Sequence, residues 1–198
     1  MEFNYKGIKL EVPDSVYYPE EDSLLLAEVV SEKVKKGTAF LEIGCGAGLS
    51  SIVAAKKGAT VTAIDINQDA VTATGKNANF NNVNIKTIVS DLFSSIEGKF
   101  DIIAFNPPYL PADESDKYLG NSKAQLVSGP TGRETIYAFL NQAATYLKKD
   151  GMIFFIISSL SGEKEVLALC NRYGFKASVI KREKIEWEEL ILISMTFL

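Results

Sequence analysis

Short apolar runs alternate with helix-length amphipathic stretches along most of this chain. The runs "TAFLEIG" (38–44), "TVTAID" (60–65), "VNIKTIVSD" (83–91), "FDIIAFN" (100–106) and "GMIFFIISS" (151–159) are short and mostly apolar. Such runs mark strands buried on both faces of a sheet. Helical patterns lie at 47–58, 67–81, 132–151 and 162–174. Gly58, Gly151 and Gly174 read as stops, Asn67 as an N-cap, and Lys148 and Lys149 as cations complementing a helix C-terminus. Strands alternating with helices imply a parallel sheet covered on both faces, with right-handed crossovers. The last two strands, "FKASVIKREKI" and "EELILISMTFL", join near Trp187 with no helix between them. They are expected as an antiparallel hairpin at one edge. The fold class is therefore α/β, with a seven-stranded, mostly parallel sheet and helices on both faces.

At 198 residues the chain suits a single domain. Residues 1–37 form an N-terminal extension and 38–198 the core. Within the extension, "FNYKGIKLEV" reads as a strand or a hairpin. Pro19, Glu20, Glu21 and Asp22 begin a helix that Gly37 closes. Residues 107–132 show no periodic element and are rich in Pro, Gly, Ser and Asp, which marks a functional or mobile loop.

Composition removes several chemistries. The chain has no histidine, and its two cysteines, Cys45 and Cys170, do not form a CxxC pair. Zinc sites of the usual Cys/His kind and His-based triads are excluded, and no metal is expected. Cys45 reads as a small filler between glycines and Cys170 as core. The formal charge of −4 lacks a nucleic-acid-binding footprint, so direct nucleic-acid binding is disfavoured. The N-terminus lacks the apolar stretch of a signal peptide, and no run reaches the roughly 18–20 residues of a membrane span. A reduced, cytoplasmic setting is expected.

The loop "LEIGCGAGLS" (41–50) joins the first core strand to its helix, with Gly44, Gly46 and Gly48 alternating. Glycines there let a ligand approach the backbone at the sheet's switch point. The dinucleotide frame would put its third glycine where Leu49 stands. With Glu42 before it, the loop instead resembles the first motif of class I S-adenosylmethionine methyltransferases, which have a Rossmann-like fold. Asp65 ends the second strand, where a carboxylate can accept both ribose hydroxyls or simply cap the next helix. Asp91 and Leu92 end the third strand. They are either an adenine-facing pair or a plain turn.

The fourth strand ends in Asn106-Pro107-Pro108-Tyr109. An amide or exocyclic amine nitrogen is planar and a poor nucleophile. Two acceptors aimed at its N–H bonds favour rehybridisation. The Asn106 side-chain oxygen supplies one, and the Pro107 carbonyl, its direction set by a locked φ, supplies the other. Tyr109 can stack on the planar group. Preorganised acceptors of this kind stabilise charge that develops in the transition state.

"FDIIAFNPPYLP" together with "LEIGCGAG" resembles the HemK family of protein-glutamine N5-methyltransferases, which modify the Gly-Gly-Gln loop of translation release factors. "VYYPEEDSLLL" (16–26) and "SGPTGRETI" (128–136) resemble its archaeal and eukaryotic branch. The resemblance implies S-adenosylmethionine as cofactor, with Asp22 and Ser23 near its methionine end and Glu42 and Gly44 on the amino-acid part. It also puts Asp65 on the ribose, Asp91 and Leu92 on the adenine, and Asn106 on the substrate amide. It implies a release factor as substrate and a small zinc-binding activator subunit as partner. The helical N-terminal domain of the bacterial members is not expected here, since about 37 residues are too few for one. "VNIKTIV" becomes a sheet-edge strand, where Lys86 either protects the edge or flanks a site for strand addition. Arg133 pins the long loop, touches substrate or is a solvated helix residue. Two other readings stand beside this one. They are N-methylation of an adenine or guanine amine in RNA or DNA, and a non-catalytic, S-adenosylmethionine-binding partner protein.

Overall fold

Why the apolar runs are continuous is plain from the two cores they separate. A computed structural model describes residues 1–112, 123–186 and 188–198. Along the strand Phe100–Phe105, Ile102 and Ala104 enter one core while Ile103 and Phe105 enter the other. The strand Leu147–Ser158 repeats the pattern, with Phe154 and Ile156 on one face and Ile153, Phe155 and Ile157 on the other. Side chains alternate across a strand, so a sheet covered on both faces needs apolar residues at every position.

The elements run β1 (Glu2–Tyr5), β2 (Ile8–Glu11), α1 (Glu21–Lys33), β3 (Ala39–Ile43), α2 (Leu49–Lys56), β4 (Thr60–Asp65), α3 (Gln68–Phe80), β5 (Ile85–Val89), β6 (Phe100–Phe105), α4 (Glu134–Tyr146), β7 (Leu147–Ser158), α5 (Glu163–Arg172), β8 (Phe175–Lys184) and β9 (Glu189–Phe197). Among the described residues the main sheet has seven strands in the order β5-β4-β3-β6-β7-β9-β8. The pairs from β5 to β7 are parallel, and β9 is antiparallel to both β7 and β8. The closing hairpin is as expected, and β5 is the opposite edge. Trp187, the expected joint of that hairpin, lies outside the described residues. α1, α2 and α3 send side chains into one core, α4 and α5 into the other. The chain goes from β3 outward to β5, then returns to β6 on the far side of β3. That reversal opens a crevice at the carboxyl ends of β3 and β6.

The N-terminal segment is a hairpin. Lys6 and Gly7 both have positive φ, 46° and 82°, as a two-residue turn between antiparallel strands requires. Asn67 caps α3, its side chain accepting from Asp69 N.

One expectation is corrected. The helix expected over 132–151 ends at Tyr146, and β7 begins at Leu147. Leu147 is fully buried and pairs with Phe100, while the next pairing is Ile102 with Met152. The intervening residues bulge, because burying Leu147 outweighs another helical turn. Gly151 is not a helix stop. A Cβ there would lie 2.7 Å from Leu147 Cδ1, so close packing requires glycine. Lys148 does not complement a helix end; its Nζ meets Asp101 Oδ2 at 2.9 Å on the surface.

Candidate active site

Glu42 sits at the end of β3 and is 5% exposed. Its Oε2 accepts from Ser51 N at 2.8 Å and from the Ser51 hydroxyl, both in the first turn of α2. Burial pushes its carboxyl up to about 7, against the opposing pull of those hydrogen bonds. The loop that follows turns through three positive-φ glycines. Gly44 lies beside the Asn106 backbone, its Cβ position 3.6 Å from Asn106 O. At Gly46 nothing lies within 4 Å of an added Cβ, so this glycine faces open space. At Gly48 a Cβ would meet Thr74 Oγ1 at 2.9 Å, so α3 can pack on the loop only against glycine. Cys45 is buried, 3.3 Å from the Thr74 hydroxyl, and burial pushes its thiol up, which suits an inert filler.

Asp65 first braces the glycine loop. Oδ2 accepts from Gly46 N at 3.0 Å and Oδ1 from Asn67 N at 2.9 Å. Each carboxylate oxygen keeps a further lone pair for a ligand hydroxyl. Burial raises its pKa. Beyond β5, the Ser90 hydroxyl donates to Leu92 O at 2.8 Å and accepts from Ser95 N. This turn holds Leu92 at φ 45°, a conformation bulky side chains rarely adopt.

Asn106 is oriented from the side. Its Nδ2 donates to Asp22 Oδ2 at 2.9 Å, an acid 84 residues earlier in the first turn of α1. Its Oδ1 is buried and, among the described residues, has no hydrogen-bond partner.

These groups converge on one cavity of about 770 Å³. Ser23, Glu42, Gly44, Gly46, Asp65, Asp91, Leu92 and Asn106 line it. Of the other expected residues, Gly48 packs behind the loop. Pro107 is buried outside the lining, where Pro108 stands instead. Asp22 and Tyr109 border a separate cavity of about 30 Å³. Gly48 and Pro107 therefore stand off the lining, and two further expectations change. Tyr109 is 2% exposed, packed in the core with Leu110 and Leu126, and its hydroxyl donates to Asp22 at 3.1 Å. It holds Asp22 and is not free to stack on a substrate. Asp22 acts on Asn106 and does not line the larger cavity. Arg133 Nη1 donates to Ser161 O at 2.5 Å, and Ser161 Oγ donates to Tyr109 O at 2.6 Å.

Several lining residues were not singled out in the sequence, although Val16 and Tyr17 lie in "VYYPEEDSLLL" and Glu134 and Thr135 in "SGPTGRETI". Val16 and Tyr17 belong to a strap crossing one side of the cavity. Asn67 Nδ2 donates to Ser15 O at 2.9 Å and Ser15 Oγ to Asp69 Oδ2 at 2.7 Å, tying the strap to α3. Ile66, 70% exposed, joins Leu92 on the wall. An apolar residue directly after a strand-ending acid was the available signal. Glu134 and Thr135, from the start of α4, line the wall too.

The residues present fit S-adenosylmethionine. Glu42 is a buried acid on the cavity wall, suited to the ligand's ammonium. Asp65 keeps acceptors for the ribose hydroxyls. Gly46 leaves room for close approach, and Ile66 and Leu92 offer apolar surface for a flat ring.

Residues 19–185 match the family described as the methyltransferase small domain. A protein of Methanocaldococcus jannaschii whose name only proposes a protein N5-glutamine methyltransferase is 44% identical over 190 residues, which is 96% of this chain and 95% of its own. A release factor glutamine methyltransferase of Lactococcus lactis is 30% identical over 168 residues, 80% of this chain and 62% of its own. A chain of the E. cuniculi Mtq2–Trm112 complex, responsible for the methylation of the eRF1 translation termination factor, has the same fold. Its TM-score is 0.75 at 24% identity, covering 93% of this chain and 99% of that one. Matched over most of its length by one family and nearly end to end by a close relative, the chain belongs to the methyltransferase small domain family, as an S-adenosylmethionine-dependent enzyme of the archaeal and eukaryotic HemK branch.

Proposed function

We propose that this enzyme methylates the side-chain nitrogen of a glutamine in the Gly-Gly-Gln loop of a translation release factor. The observation that carries the reading is the buried Oδ1 of Asn106 on the cavity wall, which has no hydrogen-bond partner among the described residues. A buried acceptor without a partner costs stability unless a ligand supplies a donor. A primary amide supplies two. S-adenosylmethionine, when bound, supplies an electrophilic methyl group. Asn106 accepts one N–H of the glutamine amide, and the other is assigned to the carbonyl of Pro107, next along the chain, although Pro107 itself is buried outside the lining. The two acceptors raise electron density on a planar nitrogen as it becomes tetrahedral, and they hold it in line for transfer. The proton released goes to solvent.

A protein substrate is favoured over a nucleic acid by the charge of the cavity. Glu42, Asp65, Asp91 and Glu134 line it, and among the described lining residues there is no Lys or Arg. A phosphate-bearing strand meets repulsion there. The relative named as a release factor glutamine methyltransferase and the Mtq2–Trm112 likeness support the same substrate class. We also assign the edge of β5 to a small activator subunit that adds a strand there. Val89 on that edge is 41% exposed, and Phe80, ending the helix that packs on β5, is 61% exposed. Among the described residues no helix is long and apolar enough to cross a membrane. The proposed setting is cytoplasmic, with translation.

The test is methyl transfer from labelled S-adenosylmethionine, with and without a co-expressed small zinc-binding subunit. The acceptors are a release factor, its Gln→Ala loop variant, tRNA and rRNA. Label in the release factor that disappears in the variant supports the reading. Label in RNA with none in protein moves the substrate to a base amine. Transfer to no acceptor under either condition favours a non-catalytic binding role.

A further inference from the structure

Asp22 is 2% exposed, lies outside the lining of the large cavity, and still sits in contact with the residue that the proposed reaction depends on. We propose that Asp22 is a positioning residue that dictates which end of the Asn106 amide faces the acceptor nitrogen. This rests on the reading of Asn106 as the substrate's hydrogen-bond acceptor.

An asparagine amide has an accepting end and a donating end of nearly equal size. Left alone, it can turn over and present either. Presented with its nitrogen, Asn106 would oppose the N–H bonds of a glutamine amide with N–H bonds of its own. Asp22 removes that freedom. Oδ2 stands 2.9 Å from Asn106 Nδ2, and the turned amide would set oxygen against oxygen. The carboxylate is in turn held by donors. Tyr17 Oη lies 3.1 Å from both oxygens, Ser23 N 2.6 Å and Ser23 Oγ 3.2 Å from Oδ1, and Tyr109 Oη 3.1 Å from Oδ2. Burial, with the Asp22 charge adding to it, pushes both phenols up, so they remain donors. Tyr109 is fixed through its own carbonyl by Ser161, whose carbonyl accepts from Arg133. The tyrosine of Asn-Pro-Pro-Tyr thus holds the acid that aims the asparagine.

The test is a reciprocal exchange in the full chain. Asp22→Asn keeps the shape and offers Asn106 a donor, so the amide turns over. Turnover is expected to fall roughly 10²–10³-fold, as for deletion of one preorganised polar group. The affinity for S-adenosylhomocysteine, measured by calorimetry, should stay within about threefold, since Asp22 lies outside the cavity lining. The double variant Asp22→Asn with Asn106→Asp restores a donor facing an acceptor and leaves a carboxylate oxygen toward the cavity. It is expected to recover at least about tenfold over Asp22→Asn, a coupling that independent sites do not show. Asp22→Asn at wild-type turnover, or a double variant no better than the product of the two single losses, overturns the proposal. So does a fall in S-adenosylhomocysteine affinity that matches the fall in turnover, which would make Asp22 a cofactor ligand. If Asp22→Asn does not fold, Asn106→Asp, which sets two carboxylates together, carries the test. Adding Asp22→Asn to it should then raise both its melting temperature and its turnover, and no gain overturns the idea. Asn106→Ala separates the two levels. If that variant keeps its turnover, the acceptor reading fails. If it loses turnover while Asp22→Asn does not, only the positioning role fails.

Discussion

Glu42 is buried with an acid's natural charge opposed, and that makes two measurable consequences of pH. Its carboxyl, raised to about 7, binds a cation only when ionised. Affinity for S-adenosylmethionine should therefore rise from about pH 6 to pH 8 and level off above. The stability of the ligand-free chain should run the other way. Between the ordinary value of 4.5 and about 7, the folded state holds a proton that the unfolded chain has released, so stability falls as pH rises through that window. Glu42→Gln is expected to flatten both slopes, read by calorimetry and by melting curves across pH. The glycines beside it differ in kind. Gly48→Ala drives a Cβ to 2.9 Å from Thr74 Oγ1 at φ 90° and should cost roughly 2–3 kcal/mol in denaturant unfolding. Gly46→Ala meets no protein atom within 4 Å, so its stability cost should be the smaller. Its loss should appear in S-adenosylhomocysteine affinity, by about tenfold or more.

The N-terminal hairpin, which leads into the strap over the cavity, is docked by a match between a helix and a strand. Four helical residues rise about 6 Å and two strand residues about 6.6 Å. Asn77 of α3 and Asn81, which caps its C-terminus, therefore meet Glu11 and Lys9 of β2 in step. Asn77 Oδ1 accepts from Glu11 N at 2.9 Å while its Nδ2 donates to Glu11 O at 3.0 Å. Asn81 does the same for Lys9, at 3.2 and 2.7 Å. Two side chains thus imitate a neighbouring strand. Asn77 Nδ2 also donates to Ala47 O at 2.9 Å, linking the hairpin to the glycine loop. Asn77→Ala should cost about 2–4 kcal/mol, since it strands several backbone groups at once. Hydrogen exchange at residues 8–11 should speed up, and cofactor affinity should fall with the strap's order. Unchanged exchange would mean that the hairpin is held by its apolar contacts alone.

The proposed activator should be separable from the fold. Ser90 N donates to Asp65 O, so by alternation the Val89 N–H points away from β4 toward the open edge. A proline there removes no bond within the sheet. Val89→Pro is expected to leave the melting temperature within a few degrees and to abolish co-purification with the activator subunit. Retained co-purification would place the partner elsewhere. How much of this was legible in the chain follows from the range of the interactions involved. Strand and helix order, the β5 edge, the closing hairpin and the convergence of Glu42, Asp65, Leu92 and Asn106 were all readable. Each depends on side chains a few residues apart, whose burial repeats with the period of one element, or on loops that a parallel sheet must gather at its carboxyl end. The end of α4 was misread, because the burial of Leu147 against β6 overrides a helical pattern that continues to Gly151. Tyr109 was misread for a similar reason. An aromatic ring at the end of a strand looks available until the core closes over it. The contact between Asp22 and Asn106 joins residues 84 apart and leaves no periodic trace. Local patterning was enough to determine the architecture and the gathering of these residues on one cavity. The direction proposed for the Asn106 amide depends on tertiary structure alone, since only the folded chain brings the start of α1 and its buried acid to the end of β6.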